Sequence, residues 1–528
     1  MRWTRRRLLH AAATAPLVAC QTSEPGRDRT RPTVPNPTAS TLPGTTQPGR
    51  PPNIVYIYFD QMRGDAIGPA NPFASTPHLD AFAAEAVHFA LCYTNGPVCR
   101  PARGVQLTGH YPHQTGVIHN TTLPDPTQPN HVRRLRDEAG YDTMLIGKFH
   151  LYDSELHTAD CKDRMAFFGF TDSLELLGQT DSTVRESAYS DFLTATTPAG
   201  EEDKYQRYID YTANYTWDSP PPDAAPWLLG TADHLDQYCA SEAASWIRAR
   251  RNGNPFYLQL NFPGPHKPFN GTSEFRARFE SVELPGAILV TPENPGPLTK
   301  QYLGLKFEEW TAESQRNLAL QYYATVALVD DALGQVLDAL RETGRMDDTW
   351  IVIGGDHGEL LGDHMMTGKV VFYEGAIHQP LLIRPPGGCA PWQTVALVDQ
   401  VDVTATVLDL AGLGVLDTQP GSSLLGKVLA GPSAPDAQFH KADVFGGNIG
   451  YYFLRDQRFK ACFDPEAVDI VELYDLTTDP LELDNRARDP DLTADRDDLL
   501  QRLESYLKQW PVVAEANVAP YQESGETT

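Results

Sequence analysis

The sequence predicts an α/β fold, with a large, mostly parallel central sheet flanked by helices and a small C-terminal antiparallel sheet plus helix. Near-continuous apolar runs alternate with helical periodicity from residue 53 onward, and such runs are typical of parallel strands covered on both faces. Polar residues follow several runs directly, as they do at the carboxyl edge of an open sheet. Beyond residue 440 the pattern changes to short strands that end in one helix.

The central sheet is predicted from five apolar runs, at 53–60, 141–147, 256–261, 350–354 and 380–383. Helices are predicted between them. A Ser-Thr-Pro cap at 75–77 begins one, a long helix spans 313–343 and ends at Gly344, and a third covers 397–412.

Residues 51–436 form the predicted main domain, and residues 437–528 form a C-terminal subdomain with strands over 451–463 and 469–476 and a helix near 491–510. The stretch near 151–240 is polar, aromatic and weakly patterned, so we expect an insertion that shapes a substrate pocket. Its aromatic residues suit stacking on a sugar, a cage for a quaternary ammonium group, or simple packing. They are Tyr205, Tyr208, Trp217 and Trp227.

Composition excludes several classes of protein. The chain has 528 residues, 41% of them hydrophobic and 21% charged, which is enough apolar material for a large core and too little charge for a disordered polyelectrolyte. Its net charge of −26 argues against a nucleic-acid partner. The seven cysteines form no C-x-x-C pair, so neither a zinc ribbon nor a dense disulfide scaffold is indicated.

The first fifty residues predict a targeting segment rather than a folded domain. Residues 1–19 carry an arginine cluster and a short apolar stretch, which is typical of an export signal. The cluster resembles a twin-arginine signal, and Leu-Val-Ala-Cys at 17–20 resembles a bacterial lipobox with Cys20 as the lipidated first mature residue. The alternative is an ordinary secretory peptide in which Cys20 is incidental.

Residues 20–50 are rich in Pro and Thr and predict a tether. We therefore expect a periplasmic or cell-envelope lipoprotein of a bacterium, which contacts the membrane only through its N-terminal lipid anchor.

Polar groups converge at the predicted sheet edge. Four follow apolar runs, and a fifth lies just after a turn at 95–97: Asp60-Gln61, Lys148-Phe149-His150, His266-Lys267, Asp356-His357, and the segment from Cys99 to Arg103. Because ligands bind beyond the carboxyl ends of the strands in open α/β sheets, these loops predict one site.

Cys99 is predicted to begin a helix, because Pro101 favours the first turn. A helix N-terminus suits an anion, and Arg103 falls on the same helix face as Cys99. The alternative is a structural buried cysteine beside a surface arginine.

The segment Cys99-x-Pro101-x-Arg103, followed by Leu107-Thr108-Gly109, resembles the signature of the type I, formylglycine-dependent sulfatases of the alkaline phosphatase superfamily. Further motifs agree in order along the chain, from about residue 53 to 490. They are Gly147-Lys148-Phe149-His150, Pro265-His266-Lys267-Pro268, Gly355-Asp356-His357-Gly358-Glu359 with Gly362-Asp363-His364, Gly368-Lys369 with Tyr373-Glu374, and Glu472 to Asp475 with Asp479-Pro480 and Asn485.

Three residues depart from the commonest pattern. Ala102 replaces a Ser, Gln61 replaces the second of two Asp, and His357 stands where many members have Asn. The combination of Asp-Gln and Asp-His resembles choline sulfatases and phosphonate monoester hydrolases, as does Asn120, which those relatives use around the anion.

The resemblance implies a catalytic domain over 51–436 with an alkaline-phosphatase-like fold, and Cys99 oxidised to Cα-formylglycine by a maturation enzyme. It also implies one divalent cation, Ca²⁺ with Mn²⁺ or Mg²⁺ as alternatives. The implied metal ligands are Asp60, Gln61, Asp356, His357 and residue 99.

The resemblance further implies a role for each remaining residue. Residue 99 would attack sulfur as a hydrated aldehyde while Arg103 holds it, and Asn120, Lys148, His266 and Lys369 would bind the sulfate group. His266, helped by Lys369, would protonate the leaving alcohol, and His150 would deprotonate the second hydroxyl. Lys267 is either a solvated loop charge or a substrate contact, and His364 and His378 are expected to be structural.

The expected function is therefore hydrolysis of sulfate monoesters of carbohydrate, aryl or choline type. The alternative on the same scaffold is a phosphonate monoester or phosphodiester hydrolase. His150 argues against it, because a histidine two residues after Lys148 resembles the sulfatase pattern. A third reading is an inactive lipoprotein that binds sulfated glycans.

Overall fold

Nine strands build the central sheet of the computed structural model, which describes residues 50–213, 227, 229–251, 253–303, 311–433 and 441–511. The strands are β1 (Asn53–Asp60), β2 (Val87–Tyr93), β3 (Asp142–Gly147), β4 (Asp172–Glu175), β5 (Phe256–Pro265), β6 (Thr349–Gly355), β7 (His378–Gln379), β8 (Leu382–Arg384) and β9 (Trp392–Asp399). Their order is β4-β3-β5-β1-β6-β8-β2-β7, and β9 pairs with β2. The pairs around β1 are parallel, whereas β8 runs antiparallel to β6 and β2.

The second sheet is antiparallel, with strands in the order β10 to β13. These are β10 (Val444–Asn448), β11 (Tyr451–Arg455), β12 (Phe459–Asp464) and β13 (Asp469–Asp475). The predicted fold class is confirmed.

Fifteen α-helices lie in the described part of the chain. They are α1 (Pro77–Ala83), α2 (Cys99–Thr108), α3 (Pro112–Thr115), α4 (His131–Ala139), α5 (Lys162–Phe168), α6 (Ala188–Ala195), α7 (Lys204–Ala213), α8 (Leu235–Ala249), α9 (Ser273–Ala277), α10 (Pro297–Leu303), α11 (Ala312–Glu342), α12 (Glu374–Ile377), α13 (Gln400–Leu410), α14 (Leu425–Ala430) and α15 (Thr493–Gln509). None of these helices is both long and apolar enough to cross a membrane.

Strand β1 shows why the apolar runs are continuous. Val55, Ile57 and Phe59 belong to the core on one face of the sheet, and Ile54 and Tyr56 belong to the core on the other face. All eight residues of β1 are buried. Because successive side chains of a strand point to opposite faces, both faces of the sheet must be covered.

The long helix α11 covers one face and packs on α8. It begins where Thr311 Oγ1 accepts a hydrogen bond from Ser314 N at 3.0 Å, and it is followed by Gly344 at φ 67°. Both ends follow the predicted pattern of a polar cap and a closing glycine.

The structure differs from the predicted elements at several places. Strands β2, β7, β9 and β10 were not predicted. The helix predicted over 397–412 begins only at Gln400, because residues 392–399 pair with β2 as a strand. Residues 172–175, within the predicted insertion, form an edge strand of the main sheet.

Several predictions lie outside the described residues. These are the export signal at 1–19, Cys20, nearly all of the tether over 20–50, Trp217 and the boundary at 436/437. Residues Pro37–Thr528 form one of two compact units, and the other unit, Met1–Asn36, is wholly outside the described part.

Candidate active site

Four buried side chains meet at the carboxyl edge of the central sheet. Asp60, Cys99, Asp356 and His357 each offer one ligand atom, and these atoms all lie within 4.8 Å of one another. Asp60 ends β1 and Asp356 follows the neighbouring parallel strand β6, so the sheet itself places the two carboxylates side by side. Cys99 is the first residue of α2, as predicted from Pro101.

The Cys99 sulfur lies among ionisable side chains. Its Sγ is 3.3 Å from Lys369 Nζ, 3.4 Å from His357 Nε2 and 4.0 Å from Asp60 Oδ1. Burial alone would raise the pKa of the Cys99 thiol, but Lys369, Lys148 and His357 lower it well below its usual value. Such an environment favours the thiolate form, as around reactive cysteines, whereas a thiol buried among apolar groups has a raised pKa.

Two cations neutralise Asp60. Lys148 Nζ lies 2.6 Å from Oδ2, and an Arg103 guanidinium nitrogen lies 3.1 Å from the same oxygen. Arg103 also reaches Asp356 Oδ2 at 3.1 Å and the Lys148 carbonyl oxygen at 2.6 Å. Although burial opposes it, Lys148 holds the pKa of Asp60 well below its usual range. Both cations bind Oδ2, so Oδ1 is left facing Cys99.

The loop after β6 fixes the tautomer of His357. Its Nδ1 donates to the Gly358 carbonyl oxygen at 2.9 Å, so when the ring is neutral its lone pair is on Nε2, the nitrogen that faces Cys99. The neighbouring Asp356 raises the pKa of His357, although burial opposes it. Asp356 Oδ1 accepts from the backbone nitrogens of His357 and Gln61, each at 2.8 Å. Burial and the neighbouring Asp60 raise the pKa of Asp356.

The other predicted residues gather around this cluster. Lys369 Nζ donates to Gln61 Oε1 at 2.5 Å. His266 is close enough to lower the pKa of Asp60. Its Nδ1 lies 2.8 Å from the Lys267 carbonyl oxygen, which fixes its ring. Asn120 Oδ1 accepts from the Arg100 backbone nitrogen at 3.0 Å and so lies one residue from Cys99.

His150 lies beside the Cys99 side chain. It has a left-handed backbone, with φ 63°, and its Nδ1 is buried without a hydrogen-bond partner in the described part of the protein. Burial and Lys148 lower the pKa of His150, which favours the neutral ring, the form that can accept a proton.

A cavity of about 480 Å³ opens beside Lys148 and His150. Residues from the predicted insertion, including Tyr152, Asp181 and Arg185, line most of it. The cavity is large enough for a small-molecule substrate.

The aromatic residues named from the insertion pack instead. Tyr208 is 1% exposed and Trp227 is 5% exposed, both in the core with Tyr205 against it, and Trp217 lies outside the described residues. The packing alternative therefore holds for these three.

The residues expected to be structural pack as expected. His364 stacks on Tyr373 at 4.1 Å between ring centroids, and His378 Nε2 lies 2.9 Å from the Ala90 carbonyl oxygen. Lys267 Nζ donates to Thr367 Oγ1 at 3.2 Å, which leaves its two alternatives open.

Sequence reasoning missed the residues that hold the site backbone. Gln400 Nε2 donates to the Asp356 carbonyl oxygen at 2.9 Å, and Tyr322 donates its hydroxyl to the Gln61 carbonyl oxygen at 3.0 Å. Both come from distant helices and carry no motif. Glu359 was visible in the Gly-Asp-His-Gly-Glu motif, but no role was assigned to it.

The donor set fits a divalent cation. Two carboxylates and the Nε2 of an imidazole lie around the Cys99 sulfur, and the amide oxygen of Gln61 meets Lys369, which contacts the same sulfur. Mostly oxygen donors with one nitrogen suit a hard cation such as Ca²⁺, and they admit Mn²⁺ or Mg²⁺.

Comparisons with known proteins identify the family of the chain. The sulfatase family model matches residues 52–413, and a model of the C-terminal region of N-sulphoglucosamine sulphohydrolase matches residues 362–509. A choline-sulfatase of Rhizobium meliloti is 29% identical over 462 residues, covering 83% of each chain. An arylsulfatase of Clostridium perfringens is 26% identical over 445 residues, covering 82% of this chain and 90% of the relative. The crystal structure of a phosphonate monoester hydrolase of Agrobacterium radiobacter matches with a TM-score of 0.73 and 25% identity, covering 87% and 96% of the two chains.

The fold and the site thus define a hydrolase of the alkaline phosphatase superfamily. The chain belongs to the sulfatase family, and it is a sulfuric ester hydrolase. Sulfatases in general use a metal ion and a formylglycine, and this chain has a buried group able to hold a metal.

Proposed function

We propose that this protein hydrolyses sulfate monoesters of small alcohols, phenols or sugars, with residue 99 acting after oxidation of Cys99 to Cα-formylglycine. The observation that carries the proposal is the position of Cys99. Its Sγ lies between Lys369 Nζ and His357 Nε2 at the start of a helix, in reach of both carboxylates. In its hydrated form the aldehyde supplies a hydroxyl as nucleophile.

The metal would be held by Asp60, Gln61, Asp356, His357 and residue 99. When bound, a divalent cation there supplies Lewis-acid chemistry and offsets the charge of the sulfate group. Asp60 and Asp356 are brought together by adjacent strands although each is an acid, and Arg103 and Lys148 compensate part of their charge.

Four further side chains would bind the sulfate group or hold the metal ligands in place. Lys148 and Lys369 flank residue 99 and would bind sulfate oxygens as point charges. Arg103 is fully buried and holds both carboxylates, so it fixes the geometry of the cluster. Asn120 would bind the anion beside the helix N-terminus.

Two imidazoles would move protons. His266 would protonate the leaving oxygen, assisted by Lys369. His150 would accept the proton from the second hydroxyl of residue 99, for which its neutral ring is suited. A hydrated aldehyde can release its sulfate in this way, whereas serine or cysteine would stay blocked.

The cavity beside Lys148 and His150 would receive the alcohol part of the substrate. Charged residues dominate its lining, and Tyr152, Leu177 and Val184 add apolar surface. Sugar, aryl and choline-type sulfates are all candidates.

Phosphonate monoester or phosphodiester hydrolysis is the second candidate function. The similarity to the phosphonate monoester hydrolase motivates it, as do the pairs Asp60-Gln61 and Asp356-His357. His150 in contact with residue 99 favours the sulfate ester, because it supplies a base for release of the anion.

The experiment compares wild type with Cys99→Ala, produced together with a formylglycine-generating enzyme. We expect release of inorganic sulfate from aryl, sugar and choline sulfates by the wild type and none by the variant, because the nucleophile is lost. Matched phosphonate monoesters are assayed in parallel. Unchanged turnover in the variant refutes the nucleophile, and a higher kcat/KM on the phosphonate reverses the ranking of the two functions. Peptide mass spectra showing only unmodified Cys99 in active-site peptides would instead support an inactive glycan-binding protein.

We propose further that the chain is exported and that a lipid on Cys20 anchors it to the bacterial cell envelope. The arginine cluster, the short apolar stretch and the Pro- and Thr-rich segment after Cys20 support it. Metabolic labelling with a fatty-acid analogue tests the anchor, and a mature protein without label contradicts it.

A further inference from the structure

Glu359 is a buried carboxylate in contact with the proposed metal site, and the proposed mechanism does not use it. Its side chain is fully buried, with 0% exposure. Oε1 accepts from the backbone nitrogens of Leu361, at 3.0 Å, and Gly368. Oε2 accepts from the side-chain nitrogen Nε2 of Gln61. Every group that Glu359 meets in these contacts is a donor.

Gln61 is held at both ends of its amide. Nε2 donates to Glu359, and Oε1 accepts from Lys369 Nζ at 2.5 Å. Its backbone is fixed separately, because Gln61 N donates to Asp356 and Gln61 O accepts from Tyr322, at a left-handed φ of 67°. With the backbone fixed, the hydrogen-bond partners of the side chain determine which end of the amide faces the metal site.

The two ends of an amide have nearly the same shape, so only their hydrogen-bond partners distinguish them. A carboxylate accepts and never donates, so it must face the NH₂ end. The carbonyl oxygen then points away from Glu359, toward Lys369 and the Cys99 cluster. An amide turned the other way would present NH₂ to a cation.

We propose that Glu359 is a positioning residue that turns Gln61 Oε1 into the site as a metal donor. The proposal rests on the metal site of the proposed function. It also explains how a neutral amide can serve as a metal ligand at position 61. A Gln at this position needs an acceptor that binds its NH₂ group, so that its oxygen faces the metal site. Because Glu359 binds Gly368 N as well, the same carboxylate orders the residue before Lys369.

The first test is Glu359→Gln in the full chain. The oxygen of the introduced amide would stay on the two backbone N–H groups, and its NH₂ would face Gln61 and turn that side chain around. We expect the affinity for Ca²⁺ alone, or Mn²⁺ alone, measured by titration calorimetry on chelator-treated protein, to fall by roughly 10–100-fold, as loss of an outer partner of a metal ligand does.

The control is Glu472→Gln. Glu472 is likewise buried and accepts from a backbone nitrogen, that of Gly296 at 2.7 Å, but it lies on β13 in the C-terminal sheet. Its variant should bind Ca²⁺ like the wild type.

The second test moves the carboxylate. In the double variant Gln61→Glu/Glu359→Gln, the carboxylate now at position 61 would accept from the NH₂ now at position 359 and keep an oxygen toward Lys369. We expect it to bind Ca²⁺ at least tenfold more tightly than Glu359→Gln, roughly reversing the loss. If Glu359→Gln does not fold, the double variant is compared with Gln61→Glu alone, which sets two carboxylates face to face and should bind more weakly.

The outcomes distinguish the role of Glu359 from the metal site itself. Wild-type affinity in Glu359→Gln, or no recovery in the double variant over its comparison variant, overturns the orienting role and leaves the proposed function intact. Absence of Ca²⁺ and Mn²⁺ binding in the wild type itself refutes the metal site of the proposed function. Weaker binding in Glu359→Gln, recovery in the double variant and an unaffected Glu472→Gln support the proposal.

Discussion

We predict that ionisation of Asp236 lowers the free energy of unfolding as pH rises. The variant Asp236→Asn should not show this decrease. The side chain is fully buried near the start of α8. Its Oδ1 accepts from Gly264 N at 2.8 Å, two residues before His266. Its Oδ2 is 3.4 Å from His234 Nδ1 and has no hydrogen-bond partner in the described part of the protein.

His234 does not neutralise this carboxylate. Its Nε2 meets Asn270 Oδ1 at 2.9 Å and therefore carries the proton, while Nδ1 accepts from the Asp236 backbone nitrogen. Burial lowers the pKa of His234 to about 4, so the ring is neutral. Burial also raises the pKa of Asp236 to about 7, against the lowering effect of the Gly264 hydrogen bond.

The sign and size follow from linkage. In the unfolded chain Asp236 loses its proton near its ordinary pKa, whereas in the folded protein it keeps it up to about pH 7. The folded state therefore binds more protons between those values, and stability falls as pH rises through that window. A shift of about three units at about 1.4 kcal/mol each corresponds to about 4 kcal/mol, and more than half of it falls between about pH 5 and 8.

The assay is urea unfolding of wild type and Asp236→Asn at pH 5 and pH 8, with Asp163→Asn as the matched change of an exposed acid on α5. The asparagine keeps an acceptor for Gly264 N and directs NH₂ to the acceptor Nδ1 of His234. We expect its free energy of unfolding, relative to wild type, to increase by about 2–3 kcal/mol from pH 5 to pH 8. A difference that does not change with pH, or an equal change in Asp163→Asn, refutes the reasoning.

Two further predictions concern the active site. Ca²⁺ should raise Tm and a chelator should lower it, because the ion offsets the repulsion between Asp60 and Asp356. At a hundredfold excess over Kd the gain is about 2.7 kcal/mol, and thermal melts that coincide with and without chelator contradict it. Gly178→Ala should lower kcat about tenfold with little change in Tm, since its Cβ would lie 3.0 Å from Lys148 Nζ and displace it. Gly414→Ala, whose Cβ meets nothing within 4 Å, is the control, and equal kcat in the two variants would show that Lys148 tolerates the methyl group.

The strands around β1 were predictable because they are buried on both faces, so their sequences are apolar without interruption. Strand β9 was not predictable in this way, because three of its first four residues are at least partly exposed and interrupt the apolar run. Its identity as a strand depends on pairing with β2, a neighbour some three hundred residues earlier in the chain. Local pattern cannot report such a partner.

The residue types of the candidate site could be predicted from the sequence alone. The residues that follow the strands, and the Cys-x-Pro-x-Arg segment at a helix start, are local features, and parallel strands necessarily bring such residues to one edge. Only the tertiary structure decided which atoms face one another. The turned amide of Gln61, the tautomer of His357 and the unneutralised Asp236 depend on partners distant in the chain. The reason is physical: residue type sets what a group can donate or accept, whereas packing sets which group it meets.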